Sequence, residues 1–181
     1  MILIAGFKIY KNMSFKKYQL YPFWDDEYKK LKYINESFND LEQIEIWQAQ
    51  GYSNQFTGDM CDMRSDQPSW NWRFIEIFQD QGWKNIGTSY YRMNTGTVLP
   101  THADLYKKYV QLFNLQGQEN RIYRAIIFLE DWKPGHYAEY DNRPFVDWRA
   151  GAVIEWVYDT PHMAANLGLD PRYTLQITGH L

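Results

Sequence analysis

The chain holds one cysteine, Cys61, in 181 residues. A single thiol forms no internal disulfide and cannot furnish a cysteine-rich zinc site. Cys61 therefore reads as an inert buried thiol. Basic runs are missing as well. The formal net charge is -3, and Lys29, Lys30 and Lys32 follow Asp25, Asp26 and Glu27, as on a solvated helix face. This leaves no electrostatic footprint for nucleic acid, which is not expected as a partner. Long hydrophobic runs are absent too. The apolar stretch Met1 to Phe7 is too short for a signal-peptide core or a membrane span, and Lys8 and Lys11 keep it from extending further. A soluble, cytoplasmic protein without a membrane partner is the expectation. There is no internal repeat, low-complexity tract or linker, and the length suits one domain over residues 1–181.

Aromatic residues are abundant, at 18% of the chain with eight Trp and fifteen Tyr. They suit half-buried pleated surfaces, which favours a β-rich fold. The first half looks mixed. Tyr28, Leu31 and Ile34 recur at helical spacing within Trp24 to Ile34, as do Trp72, Ile75 and Phe78 within Pro68 to Asp80, ahead of Gly82. The second half reads as short strands separated by turn signals. They are Tyr90 to Met93, Val98 to His102, Arg124 to Leu129, Tyr137 to Tyr140, Phe145 to Trp148, Ala152 to Tyr158, a late strand carrying His162, and Arg172 to Thr178. Asp141-Asn142-Arg143-Pro144 is a turn-like tetrapeptide. Such spacing predicts a sandwich or barrel. The expected fold is mainly β with N-terminal helices (α+β). Residues 1–88 form a mostly helical support, and residues 89–181 a double-stranded β-helix, or jelly-roll, core. Tyr106 to Asn120 reads as an amphipathic helix using Tyr109, Leu112 and Phe113, or as a lid over a substrate.

The tripeptide His102-Ala103-Asp104 carries the chemistry. Residues two apart on a strand share a face, so an imidazole and a carboxylate can grip one metal ion from a strand end. A third ligand from a distant strand completes two histidines and one carboxylate, the open-faced set of non-heme Fe(II) oxygenases. His162 follows 60 residues later, after Pro161, and Arg172 comes ten residues beyond it, with Thr174 on the same face. An arginine fork suits a distal carboxylate, and a threonine hydroxyl adds a donor. Arg124 opens an apolar strand and either lies in solvent at the strand end or, if it points inward, needs a partner. His136 and His180 read as structural or exposed, and Trp132 and Trp148 as packing at core edges.

The ordered pattern His-x-Asp, late His, then Arg-x-Thr resembles the 2-oxoglutarate and Fe(II)-dependent dioxygenase superfamily. The segment Arg124-Ala-Ile-Ile-Phe-Leu-Glu-Asp-Trp-Lys-Pro-Gly135 resembles its prolyl 4-hydroxylase-like branch. Thr160-Pro-His-Met-Ala-Ala-Asn-Leu-Gly168 and Arg172-Tyr-Thr-Leu-Gln-Ile-Thr-Gly179 look more like small oxygenase-like proteins of tailed phages of marine bacteria. The resemblance covers about Tyr90 to Gly179. It implies His102, Asp104 and His162 as ligands of Fe(II), and 2-oxoglutarate and dioxygen as co-substrates. It also implies Arg172 with Thr174 on the distal carboxylate, joined by a tyrosine from the preceding strand, Tyr91 being nearest. Some members of the superfamily use a central-strand arginine for that carboxylate instead, which makes Arg124 the rival. Prolyl-hydroxylase relatives carry two glycines and an acidic residue after the tryptophan turn. Here Gly135 is followed by His136-Tyr137-Ala138-Glu139, which argues against prolyl hydroxylation itself.

The implied reaction couples oxidative decarboxylation of 2-oxoglutarate to oxidation of an unidentified protein side chain or small molecule, in the host cytoplasm if the protein is a phage's. Hydroxylation is the commonest outcome in the family, and Asp104 argues against halogenation. The rivals are a non-catalytic metal-binding jelly roll such as a phage component, a cupin-type oxygenase needing no keto acid, and a nucleic-acid demethylase.

Overall fold

The computed structural model describes residues 15–38, 40–52, 57–61, 63 and 66–181. The expectation for Met1 to Phe7 falls outside them. No described helix is long and apolar enough to cross a membrane.

The strands are β1 (Phe15–Gln19), β2 (Tyr33–Ser37), β3 (Thr57–Cys61), β4 (Lys84–Met93), β5 (Thr97–His102), β6 (Ile122–Phe128), β7 (His136–Tyr140), β8 (Arg143–Phe145), β9 (Ala152–Val157), β10 (His162–Asn166) and β11 (Arg172–His180). The helices are α1 (Leu41–Ala49), α2 (Asn71–Asp80) and α3 (Lys107–Phe113). Two antiparallel sheets result, one ordered β1-β9-β6-β11-β4-β3-β2 and the other β5-β10-β7-β8. From β4 onward the chain passes back and forth between them. This is the double-stranded β-helix the sequence predicts.

Alternation sorts β11 into two faces. Leu175 and Ile177 are fully buried on one, in a cluster with Phe74 and Phe78 of α2, Ala125 and Ile127 of β6, and Leu20, Tyr28 and Leu31 from the N-terminal segment. Arg172, Thr174, Gln176 and Thr178 occupy the other face. A second apolar cluster joins Phe128, Ile154 and Trp156 of the larger sheet to Tyr140 and Phe145 of the smaller one. The main core therefore lies behind the larger sheet, under α2, which frees the space between the sheets for polar side chains.

Several sequence expectations need correction. Trp24 to Ile34 is not a helix. A single 3-10 turn spans Asp26–Lys30, with Asp25 accepting from the Glu27 N–H, and Leu31 is already extended (φ -62°, ψ 150°). Tyr33 and Ile34 begin β2, where β-formers override the helical spacing. The support before residue 88 thus contains three unforeseen strands, and β4 begins at Lys84 rather than near Tyr90. α2 is present, but Phe74 and Phe78 are buried while Trp72 is 56% exposed. Leu112 is likewise exposed on α3, whose buried residue is Val110. The expected strand Phe145 to Trp148 is displaced. Asp141 and Asn142 both take left-handed φ (51° and 57°), making a two-residue hairpin turn after which β8 starts at Arg143.

A close approach fixes β7 against the end of β10. A Cβ on Gly135 would lie 2.2 Å from the Gly168 nitrogen, so a side chain there is sterically barred.

Asp59 on β3 anchors the outer strands. It is 5% exposed and accepts from Arg92 Nε (2.9 Å), Asn94 Nδ2 (2.6 Å) and Asn35 Nδ2 (3.1 Å). Burial pushes its carboxyl up, but these bonds together hold it below the usual aspartate range. Asp59→Ala removes the charged acceptor that ties Arg92, Asn94 and Asn35 together and is expected to cost ~1.5 to 3 kcal/mol in urea melts at neutral pH. Because the folded carboxyl is depressed, this contribution is whole above the unfolded value of about 3.9 and fades as pH falls through the folded one. The gap between wild type and variant should therefore close in melts at acid pH. A gap that persists there, or is absent at neutral pH, contradicts this role.

Candidate metal centre

β5 and β10 lie side by side and place His102 opposite His162 in the ladder. Their ring centroids are 4.4 Å apart. β5 ends at His102, so Asp104 lies past the strand end. Asp104 nevertheless reaches the two histidines. His162 Nε2 is 3.5 Å from Asp104 Oδ2. One ligand atom from each of the three residues lies within 4.8 Å of the others, and no other such group of three occurs among the described residues.

The hydrogen bonds behind the rings choose their tautomers. His102 Nδ1 is 2.8 Å from the Pro100 carbonyl, and His162 Nδ1 is 2.9 Å from the Thr160 carbonyl. A carbonyl only accepts, so both Nδ1 atoms donate and both Nε2 lone pairs face the centre. Aromatic rings dry the site. Phe38 and Trp47 pack on His102, at 5.1 and 5.5 Å between centroids, and Trp156 on His162 at 4.9 Å. Burial pushes the His162 imidazole down to about 4, against the pull of Asp104, and lowers His102 as well. Burial pushes the Asp104 carboxyl up, yet Arg124 and the two histidines bring it below the usual range. The site thus offers two neutral imidazoles and one carboxylate at neutral pH. That donor set fits a divalent transition metal such as iron.

Arg172 opens β11 and is 8% exposed. Its Nη1 donates to the Tyr137 carbonyl at 2.7 Å. Its Nε is buried without a partner, and no carboxylate pairs with it among the described residues. Burial pushes the guanidinium down to about 10. Arg172, Thr174 and Tyr91 share a cavity of about 190 Å³ with His102, Asp104 and His162. Thr174 stands opposite Tyr91 across the β11–β4 ladder. Burial raises the Tyr91 phenol.

Arg124 also reaches this cavity, but its Nη1 donates to Asp104 Oδ2 and its Nε to Thr178 Oγ1 at 3.3 Å. A wider cavity of about 710 Å³ adjoins on the Asp104 side and is walled by Gln176, Thr178 and Tyr106. The Tyr106 hydroxyl is buried without a hydrogen-bond partner.

All seven sequence-derived site residues therefore converge. His136 and His180 do not join them: the former bonds the Asp170 carbonyl (2.9 Å) and the latter Tyr109 (3.0 Å). Sequence reasoning missed Gln176 and Tyr106. Gln176 continues the period-2 face of Arg172 and Thr174 and was within reach of that signal. Tyr106 opens the segment that the sequence offers as a helix or a lid, with no signal for a wall of this cavity.

No family model matches the chain, and no curated protein matches it. Solved structures do. A Burkholderia pseudomallei oxidoreductase of the 2OG-Fe(II) oxygenase family aligns at 12% identity and TM-score 0.48, over 84% of this chain and 74% of that one. The Photorhabdus luminescens protein plu4264 aligns at 12% identity and TM-score 0.37, over 52% of this chain and only 62% of its own length. A Pseudomonas putida prolyl-4-hydroxylase aligns at 13% identity and TM-score 0.53, over 86% of this chain and 95% of that one. The likeness to phage proteins gains no support from these matches. What the Pseudomonas match establishes is the fold, a jelly roll shared along almost the whole of a prolyl-4-hydroxylase.

Proposed function

We propose that this protein is an Fe(II)- and 2-oxoglutarate-dependent dioxygenase of the hydroxylase type, acting on an unidentified protein side chain or small molecule. The observation that carries the reading is Arg172. A buried guanidinium with no anion of its own shares a small cavity with a two-histidine, one-carboxylate set. A buried cation without a counter-charge is costly, so the cavity is built for an anionic guest. A cupin-type oxygenase without a keto acid has no use for such a group.

His102, His162 and Asp104 hold the metal, their lone pairs already presented by the bonds behind them. Iron(II) bound there supplies the activation of dioxygen coupled to decarboxylation of 2-oxoglutarate. Arg172 takes the distal carboxylate of 2-oxoglutarate through its fork, with the Thr174 hydroxyl and the Tyr91 phenol beside it. Phe38, Trp47 and Trp156 exclude water from the ligand side. The wider cavity, walled in part by Tyr106, receives the prime substrate. The cavity's charged lining is balanced, with Glu36, Asp40 and Asp104 against Lys107, Lys108 and Arg124. This disfavours a polyanion such as nucleic acid.

Aerobic incubation of Fe(II)-loaded protein with 2-oxoglutarate tests the reading. Succinate formation that depends on Arg172 is expected. Metal binding with no succinate, even with lysate small molecules and peptides added, would instead favour a metal-binding jelly roll without turnover.

A further inference from the structure

Arg124 lies on the inward face of β6 and is spent on its own chain rather than left for a guest. Its Nη1 donates to Asp104 Oδ2 and its Nε to Thr178 Oγ1 at 3.3 Å. Its guanidinium carbon sits 4.5 Å from the centre of the Tyr106 ring. The ring is itself fixed. Tyr106 has φ 51°, a left-handed backbone that a bulky aromatic rarely takes. The Val110 N–H holds the Tyr106 carbonyl at 2.9 Å, and Tyr158 packs at 5.9 Å on the ring. Strain held in place two residues after a ligand marks a position whose geometry is imposed by its surroundings.

We propose that Arg124 is a positioning residue: with Thr178 and Tyr106 seating its guanidinium, it holds the Asp104 carboxylate beside the two imidazoles through Oδ2, the oxygen that also faces His162 Nε2 at 3.5 Å. The proposal rests on the metal site described above. A carboxylate tethered in this way keeps its place and orientation at the site before metal arrives. Arg124 also supplies the counter-charge of this buried group. The site is thereby preorganised. Arg124 and Arg172 accordingly divide the labour, the first acting on the ligand and the second on the co-substrate.

The test is titration of the metal-free full-length protein with Co(II), without 2-oxoglutarate, reading both affinity and the visible ligand-field bands. Arg124→Gln is expected to weaken Co(II) by roughly 10- to 100-fold, the usual effect of losing a group that orients a ligand. It should also change the band shape as Asp104 alters its mode of binding. Arg124→Lys should restore part of the affinity. Thr178→Val, which keeps the strand and removes only the acceptor for Nε, should give a smaller loss and a similar spectral change even if Arg124→Gln folds poorly. Unchanged affinity and spectrum in Arg124→Lys and Thr178→Val, or 2-oxoglutarate binding lost from Arg124→Gln with Co(II) binding intact, overturns the proposal. A wild type that binds no Co(II) overturns it together with the metal site. Wild type that binds Co(II) with the expected variant losses, yet forms no succinate with iron, upholds the positioning role and sinks only the oxygenase reading.

Discussion

Arg172→Ala is expected to weaken 2-oxoglutarate binding by roughly two to three orders of magnitude while metal affinity stays unchanged. The guanidinium is buried at the start of β11, bonded only to the Tyr137 carbonyl, with its Nε unsatisfied. A carboxylate entering the small cavity meets a cation that has already lost its water. Removing one member of such a buried pair costs ~3 to 5 kcal/mol, because the other is left uncompensated. At 1.4 kcal/mol per tenfold, that is roughly the stated loss. Arg172→Lys should recover part of it, keeping charge but not the planar fork. The free protein also bears the cost of housing the cation, so Arg172→Ala should melt no lower than wild type in the absence of 2-oxoglutarate. Isothermal titration of 2-oxoglutarate into metal-loaded protein reads the first effect. Loss of binding in Arg124→Ala with Arg172→Ala intact would move the clamp to β6.

His162→Ala is expected to remove tight metal binding altogether. It deletes a proposed ligand whose Nε2 lone pair is aimed by the bond from Nδ1 to the Thr160 carbonyl. Removing a group that merely orients a ligand already costs roughly 10- to 100-fold, so loss of the ligand itself should exceed 100-fold. His102→Ala should behave alike. His180→Ala, at the far end of β11, should leave metal affinity untouched. Titration with Co(II) or Fe(II) under argon distinguishes these variants. Full affinity in His162→Ala would break the assignment of that ligand.

The parts of this site legible in the sequence are those with short-range signals. The spacing His102-x-Asp104 and the face shared by Arg172 and Thr174 are local, and both carry into the structure. Asp104 itself lies past the end of β5, where Arg124 holds it. The order of strands from β4 onward was also legible, because turn residues separate them and most carry an apolar stretch. The strands β1, β2 and β3 were not. Phe15–Gln19 and Tyr33–Ser37 are largely exposed, so burial leaves little alternation to read. Their place is set by pairing, β1 with β9, β2 with β3 and β3 with β4, each partner at least twenty residues away. The role of Arg124 was half legible. An inward charge demanded a partner, but only the fold shows that the partner is Asp104.

Anaerobic addition of 2-oxoglutarate to Fe(II)-loaded protein tests the central claim most directly, because a keto acid chelated to iron(II) produces a weak visible charge-transfer absorption. A saturable band with one equivalent of each component is expected. The band should be absent in His162→Ala and shifted to far higher 2-oxoglutarate concentration in Arg172→Ala. A protein that binds Fe(II) tightly and shows no such band at any 2-oxoglutarate concentration would contradict it.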